Sequence, residues 1–245
     1  FLAIVAAIDC LLPIATVFTT HATVLGRCLA GNNLPLYNSM GLYNDDDKAR
    51  QFNGTARHSL VKISAQNADI FTTVSEITAG ECFQFLHRKV DVVTPNGFEN
   101  SFTPTSDEEY DQKRTSDRKK LIEVATAMSG EQIDGNAVLV GIGGRYEYRN
   151  KGIDVFLDAL DKLNKSDSAG KSVQAFIFIP SGNNGADKSL VAKLEGKDQK
   201  DYTTQVSHYL QTPEYDIIVS RLKQLGFNNA KGSRVKVYFI PSYLN

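Results

Sequence analysis

Cysteine is scarce in this chain of 245 residues: Cys10, Cys28 and Cys82 are odd in number and far apart. That spacing makes neither a disulfide framework nor a zinc-ligand pattern. A reducing cytosol is the simplest home, and each thiol is expected to be a small buried hydrophobe. Net charge is lacking too, with 27 basic residues against 28 acidic ones. This excludes bulk attraction to nucleic acid or an anionic membrane and makes any anion binding local. Long apolar runs are also missing. The opening Phe1-Leu2-Ala3-Ile4-Val5-Ala6-Ala7-Ile8 has no basic leader and is interrupted by Asp9 and Pro13, so it reads as a buried helix cut into mid-course. Nothing else approaches the roughly 20 apolar residues needed to cross a bilayer. Finally, a glycine is missing. Gly141 and Gly143 follow a strand-like run, but Tyr146 stands where a dinucleotide fingerprint has its third glycine, which argues against a nicotinamide dehydrogenase.

What is present is a globular composition, 42% hydrophobic and 22% charged, with one concentrated chemical feature. Ala137-Val138-Leu139-Val140-Gly141-Ile142 reads as a buried strand, and Ile153, Phe156, Leu157, Leu160 and Leu163 recur at helical spacing. Between them Arg145, Arg149 and Lys151 stand among glycines, offset by Glu147. The order is strand, basic loop, helix. Ligands of open α/β sheets bind beyond the carboxyl ends of the strands, where this loop lies. A phosphate there is expected to meet the backbone N–H groups of the helix N-terminus as well as the three cations. For the three cations a merely solvated surface is the alternative, and Tyr146 and Tyr148 are read as merely shaping the loop.

Local signals divide the rest. They predict a helix over about 2–11, a strand over about 14–19, a helix over about 22–30, a polar loop to about 50 and a helix over about 55–67. A strand at 70–74, a helix opening at Ser75 and a strand at 90–93 follow, closed by a tight turn at Pro95-Asn96-Gly97. Residues 98 to about 117 read as a polar, acidic, solvated stretch before a helix over about 117–128. Further strands are predicted at about 137–142, 173–179 and 234–240. The βαβ rhythm gives an α/β class with parallel, doubly wound sheets. The expected division is residues 1–97, a linker and helix at 98–135, and a second unit at 136–245. Both units are expected to be incomplete, as pieces of a longer protein. His58 and His87 read as helical surface residues without ligand-spaced partners, and no metal site is expected.

Four segments carry a resemblance. They are Val17-Phe18-Thr19-Thr20-His21-Ala22-Thr23-Val24-Leu25-Gly26-Arg27, Phe71-Thr72-Thr73-Val74-Ser75-Glu76-Ile77-Thr78, Val92-Val93-Thr94-Pro95-Asn96-Gly97-Phe98 and Gly144-Arg145-Tyr146-Glu147-Tyr148-Arg149-Asn150-Lys151-Gly152. Together, in this order and spacing, they resemble the eukaryote-type glycogen synthase family of retaining glycosyltransferases, in a bacterial-type version. The resemblance implies two Rossmann-like domains of the GT-B architecture, a nucleotide sugar as donor and an α-glucan as acceptor. It implies no cofactor, no nucleic acid or membrane partner, and a cytoplasmic location; an oligomer stays open. Arg145 and Lys151 match the pair that binds the donor diphosphate, and with His21, which matches the histidine beside the donor glucose, they are the implied catalytic residues. Arg27 matches an arginine facing the cleft, and Asn96 and Gly97 match backbone at the domain crossing, completing the implied donor-binding set. From the residues alone, His21 could instead cap or pack near a helix beginning at Ala22, Arg27 could form a structural ion pair, and Asn96-Gly97 could be a plain turn.

The chain departs from the family pattern at both ends. The glycine-rich loop near the family's N-terminus and the later segment with two glutamates are absent, so transfer by this chain alone is not expected. The implied activity is transfer of glucose from a nucleotide diphosphate glucose to the non-reducing end of an α-1,4-glucan with retention. The alternatives are a sucrose- or trehalose-type synthase, or a non-catalytic nucleotide- or glucan-binding remnant.

Overall fold

The computed structural model describes residues 4, 6, 10, 13–166, 170–197 and 203–243, which form two compact units, 1–100 and 101–245. The helix expected over 2–11 falls largely outside the described residues.

In the first unit, strands β1 (Val17–Thr20), β2 (Ile70–Thr73) and β3 (Val92–Val93) form a parallel sheet in the order β1-β2-β3. Their residues are mostly β-branched or aromatic and alternate in direction, as a pleated strand requires. Phe18 and Phe71 point to one face and stack with ring centroids 5.6 Å apart. Helices close over that face. The α-helices that follow in this unit are α1 (Val24–Gly31), α2 (Leu36–Ser39), α3 (Asp45–Gln51), α4 (Thr55–Asn67) and α5 (Glu76–Leu86), of which α4 and α5 cover the phenylalanines. Val61, Ala65, Cys82 and Leu86 surround the two phenylalanines, while Leu25, Leu29, Leu36, Ala49 and Phe85 make a neighbouring cluster. Helix α5 opens as expected: the Ser75 hydroxyl accepts the Thr78 N–H at 3.2 Å.

The polar loop expected up to residue 50 is helical instead. Asn44 caps α3, accepting the Asp47 N–H, and Asp45, Asp46 and Asp47 complement the positive end of the helix. Ala49 and Leu36 then bury what the polar residues conceal in a hydropathy reading. The tight turn expected at Pro95–Gly97 is also absent. Thr94 continues the ladder by donating its N–H to the Thr73 carbonyl at 2.7 Å, and residues 94–99 run on without regular structure.

His58 corrects the sequence reading most sharply, while His87 is exposed as expected but has a partner that was not. His58 is 1% exposed, and its Nε2 lies 3.1 Å from Asp45 Oδ2. His87, the left-handed cap of α5, places its Nε2 3.1 Å from Asp45 Oδ1. The Lys62 ammonium completes the set, 2.5 Å from Asp45 and 3.5 Å from Asp46. Asp45, Asp46 and His58 are close enough together to hold a metal ion, but the ammonium of Lys62 already fills the cation position between the two carboxylates. The thiols differ as well: Cys82 is buried, with its pKa pushed up to about 12 by burial, but Cys28 is half-buried and Cys10 exposed.

Gly26 is fixed by close approach. A Cβ built there would lie 2.2 Å from Glu81 Oε2. That carboxylate is 7% exposed and accepts hydroxyl hydrogen bonds from Thr23 at 2.7 Å and Tyr37 at 3.0 Å. Gly26→Ala is therefore expected to displace Glu81 from both donors and to cost about 1–3 kcal/mol. Urea denaturation of the chain checks this, and an unchanged midpoint would show that the carboxylate moves aside freely.

The second unit begins with α6 (Asp107–Ser129), ten residues earlier than the expected start near 117. Ser106 caps it through the Glu109 N–H, and Asp107, Glu108 and Glu109 occupy its first turn, so the acids read as solvated linker are a helix start. Strands β4 (Val138–Gly143), β5 (Val173–Phe178) and β8 (Val235–Phe239) form a parallel sheet in the order β4-β5-β8. Both faces are covered. Helices α7 (Ile153–Asn164) and, later in the chain, α9 (Ile217–Gln224) pack Ile153, Leu157, Ile218 and Leu222 against Ala175, Ile177 and Val237. On the other face Met128 of α6 and Leu190 of α8 (Lys188–Leu194) pack on Phe176 and Tyr238. This is the layered arrangement of a doubly wound sheet. A short antiparallel pair, β6 (Asn183–Ala186) with β7 (His208–Leu210), was not legible, because Asn-Asn-Gly-Ala has little strand propensity. Among the described residues no helix is long and apolar enough to cross a membrane.

Candidate active site

Each unit presents candidate site residues beyond the carboxyl ends of its parallel strands. In the first unit the register pairs Thr20 with Thr73 and Thr73 with Val93, so His21, the α5 cap Ser75 and the Thr94–Gly97 stretch follow the strands at one sheet edge. His21 is exposed and comes directly after β1. It does not cap the next helix: α1 begins at Val24, and the Thr23 hydroxyl accepts the Gly26 N–H. The Thr23 hydroxyl donates in turn to Glu81, so the buried carboxylate holds the turn that carries His21. Arg27 is exposed on α1, and Asn96 and Gly97 are exposed beyond β3. Gly97 has no left-handed φ, and a Cβ placed there meets nothing within 4 Å, so neither a turn nor a close contact inside this unit demands the glycine.

In the second unit, β4 ends at Gly143 beside Phe178 of β5, and the basic loop follows. The loop is wound tightly. The Glu147 N–H donates to the Arg145 carbonyl at 2.7 Å and the Lys151 N–H to the Glu147 carbonyl at 2.9 Å, so the chain turns twice in succession between Arg145 and Lys151. Gly152, at φ +67°, makes the change of direction into α7 in a conformation that L side chains resist. Arg145 Nε lies 3.2 Å from Glu147 Oε1, and Arg149 Nη1 lies 3.4 Å from Asp154. Lys151 is exposed, its stem within 3.9 Å of where a Gly144 Cβ would stand, and its ammonium has no ion-pair partner among the described residues.

One expectation fails here. The N–H groups at the start of α7 are not open to an anion: those of Ile153 and Asp154 donate to the Tyr148 carbonyl at 3.0 and 3.4 Å, and that of Val155 donates to Asp154 Oδ1 at 2.9 Å. The strand–loop–helix order is as read, but the loop folds its own carbonyl back over the helix end. Of the donors expected to meet a phosphate at this position, the side-chain cations remain.

The structure adds Asp216, a partner of Tyr146 that sequence reasoning passed over. The Tyr146 hydroxyl donates to Asp216 Oδ1 at 2.8 Å and accepts the Ile218 N–H at 3.2 Å. Burial, together with the Asp216 carboxylate, raises the phenol pKa well above its ordinary value, so the group stays a neutral donor. Asp216 was findable as the helix cap before the Ile217-Ile218-Val219 run; its pairing with a tyrosine seventy positions earlier was not.

The family model described as glycogen synthase matches residues 2–201, a span that takes in His21, Arg27, Asn96, Gly97, Arg145 and Lys151 and reaches into both units. The chain belongs to the glycogen synthase family. It is 42% identical over 180 residues to the glycogen [starch] synthase of Dictyostelium discoideum, covering 70% of this chain and 20% of that protein. Identity to the human liver glycogen [starch] synthase is 34% over 203 residues, covering 80% and 28%. For glycogen [starch] synthase isoform 2 of Saccharomyces cerevisiae it is 37% over 178 residues, covering 70% and 25%. This glycogen synthase family chain thus spans about a quarter of the length of these relatives.

Proposed function

We propose that the full-length protein is a glycogen synthase-like glucosyltransferase, moving glucose from a nucleotide diphosphate glucose to the non-reducing end of an α-1,4-glucan with retention of configuration. The observation that carries this reading is that one family match runs through both units and includes the exposed lysine beyond the carboxyl end of β4. In this reading the two units are Rossmann-like halves of a GT-B pair. Arg145 grips the diphosphate in two places, as a planar guanidinium can. Lys151 meets the negative charge that develops as the sugar–phosphate bond breaks, and so stabilises the transition state more than the bound donor. His21 stands beside the donor glucose, with Arg27 and the Asn96–Gly97 backbone completing the donor side. Two side-chain cations supply the charge, so the reaction needs no metal or cofactor. We further propose a cytoplasmic enzyme, inactive when reduced to the present segment, which does not include the family's two-glutamate segment.

Incubating the full-length protein with uridine or adenosine diphosphate glucose, and with either glucan or small sugars as acceptor, tests the proposal. Extension of glucan with α-linked glucose, read by anomeric proton resonances, is the expected result. Transfer to small sugars alone would reassign it to a sucrose- or trehalose-type synthase. Glucan binding without donor binding would make it non-catalytic.

A further inference from the structure

We propose that Tyr146 is a positioning residue for the donor-binding loop, acting through Asp216 at the start of α9. The inference rests on the donor role of Arg145 and Lys151 and names what holds them in place. Tyr146 is the neighbour of Arg145 in the sequence, but its side chain leaves the loop and packs against the core formed by Ile153, Ile218 and their neighbours. At its tip one hydroxyl makes two hydrogen bonds, to Asp216 Oδ1 at 2.8 Å and from the Ile218 N–H at 3.2 Å. Asp216 is 9% exposed and is itself fixed. Its Oδ1 also accepts the Val219 N–H at 3.0 Å, and its Oδ2 faces the Ser181 hydroxyl, just beyond β5, at 3.4 Å. The phenol therefore ties the loop after β4 to the segment after β5 and to the first turn of α9.

The loop needs such a tie. Arg145 and Lys151 are both exposed, and the Arg145 guanidinium is held by Glu147 of the same loop, so their own contacts do not anchor them to the sheet. A loop without a fixed position presents its cations to the donor only part of the time, and donor affinity falls by the fraction of time lost. Pre-organised cations are also what transition-state stabilisation requires.

Tyr146→Phe in the full-length protein keeps the ring and removes only the hydroxyl. It is expected to raise the donor KM about tenfold, the scale of one lost hydrogen bond to a charged group, while the glucan KM stays unchanged. Asp216→Ala is expected to reproduce that effect, and Asp216→Asn, which keeps the Oδ1 acceptor, to restore the donor KM to near its original value. If Tyr146→Phe does not fold, the two Asp216 variants carry the test. A merely structural tyrosine would lower thermal stability without separating donor KM from glucan KM, and that result overturns the inference. Near-native kinetics in both Tyr146→Phe and Asp216→Ala, alongside a collapse of turnover in Lys151→Ala, would reject the tether but leave the donor site standing. Near-native turnover in Lys151→Ala would remove the donor site and the tether with it.

Discussion

Replacing Lys151 with alanine is expected to lower the turnover of the full-length protein by about a thousandfold, roughly 4 kcal/mol of transition-state stabilisation, with folding intact. The two parts of that expectation have separate grounds. Folding survives because Lys151 is exposed and no ion-pair partner among the described residues loses a charge when it goes. Turnover falls because an ammonium at the carboxyl end of β4 matters most when the departing nucleotide gains negative charge. The loss should therefore appear in kcat at saturating donor rather than in KM alone. Lys151→Arg is expected to recover little, since a planar fork does not replace a compact charge. Glucan synthesis at saturating donor, with a thermal melt of the same sample, makes the measurement. A kcat within tenfold of the original would remove Lys151 from the chemistry.

The second large effect is on stability. Asp45→Ala is expected to cost the first unit about 3–5 kcal/mol, the scale of breaking a buried ion pair by deleting one partner. Asp45 is 6% exposed and joins three helical elements: its own α3, His58 and Lys62 of α4, and His87 at the end of α5. Alanine would leave Lys62 charged and largely buried without its main acceptor. Burial works against ionisation of Asp45, but the hydrogen bonds from Lys62, His58 and His87 together outweigh it and hold the carboxyl well below its ordinary value of 3.8. A carboxyl depressed in the folded state contributes stability that is fully present above the unfolded value and is lost as the pH falls below it toward the folded one. The chain is thus expected to lose stability as pH drops below about 4, and Asp45→Asn should lack that part of the acid dependence. Urea titrations at several pH values, followed by circular dichroism, decide it. If Asp45→Ala leaves the transition unmoved, the cluster contributes nothing to the fold.

How far the molecule was legible depended on whether a signal was local. Helix α4 (Thr55–Asn67), the Ser75 cap and strands β2, β4, β5 and β8 were readable, because caps and apolar periodicity act within a few residues. The early start of α6 was hidden by its acids, which look like linker in a hydropathy scan and act as first-turn charges in a helix. At the site, the strand–loop–helix order and its cations were visible, but the open row of amides was not realised, since the Tyr148 carbonyl is drawn over them by a turn no sequence pattern announces.

The sequence by itself determined the class of the two parallel sheets, the place of Arg145 and Lys151 beyond a strand, and membership of the glycogen synthase family, for these follow from short motifs and their order. Tertiary structure alone decided that His58 and His87 converge on Asp45, that Glu81 stands behind the turn carrying His21, and that Tyr146 reaches Asp216. Those pairings join residues thirteen to seventy positions apart. Each is made only where packing of the cores removes water and obliges a buried polar group to find a partner, and no local propensity encodes which partner that will be.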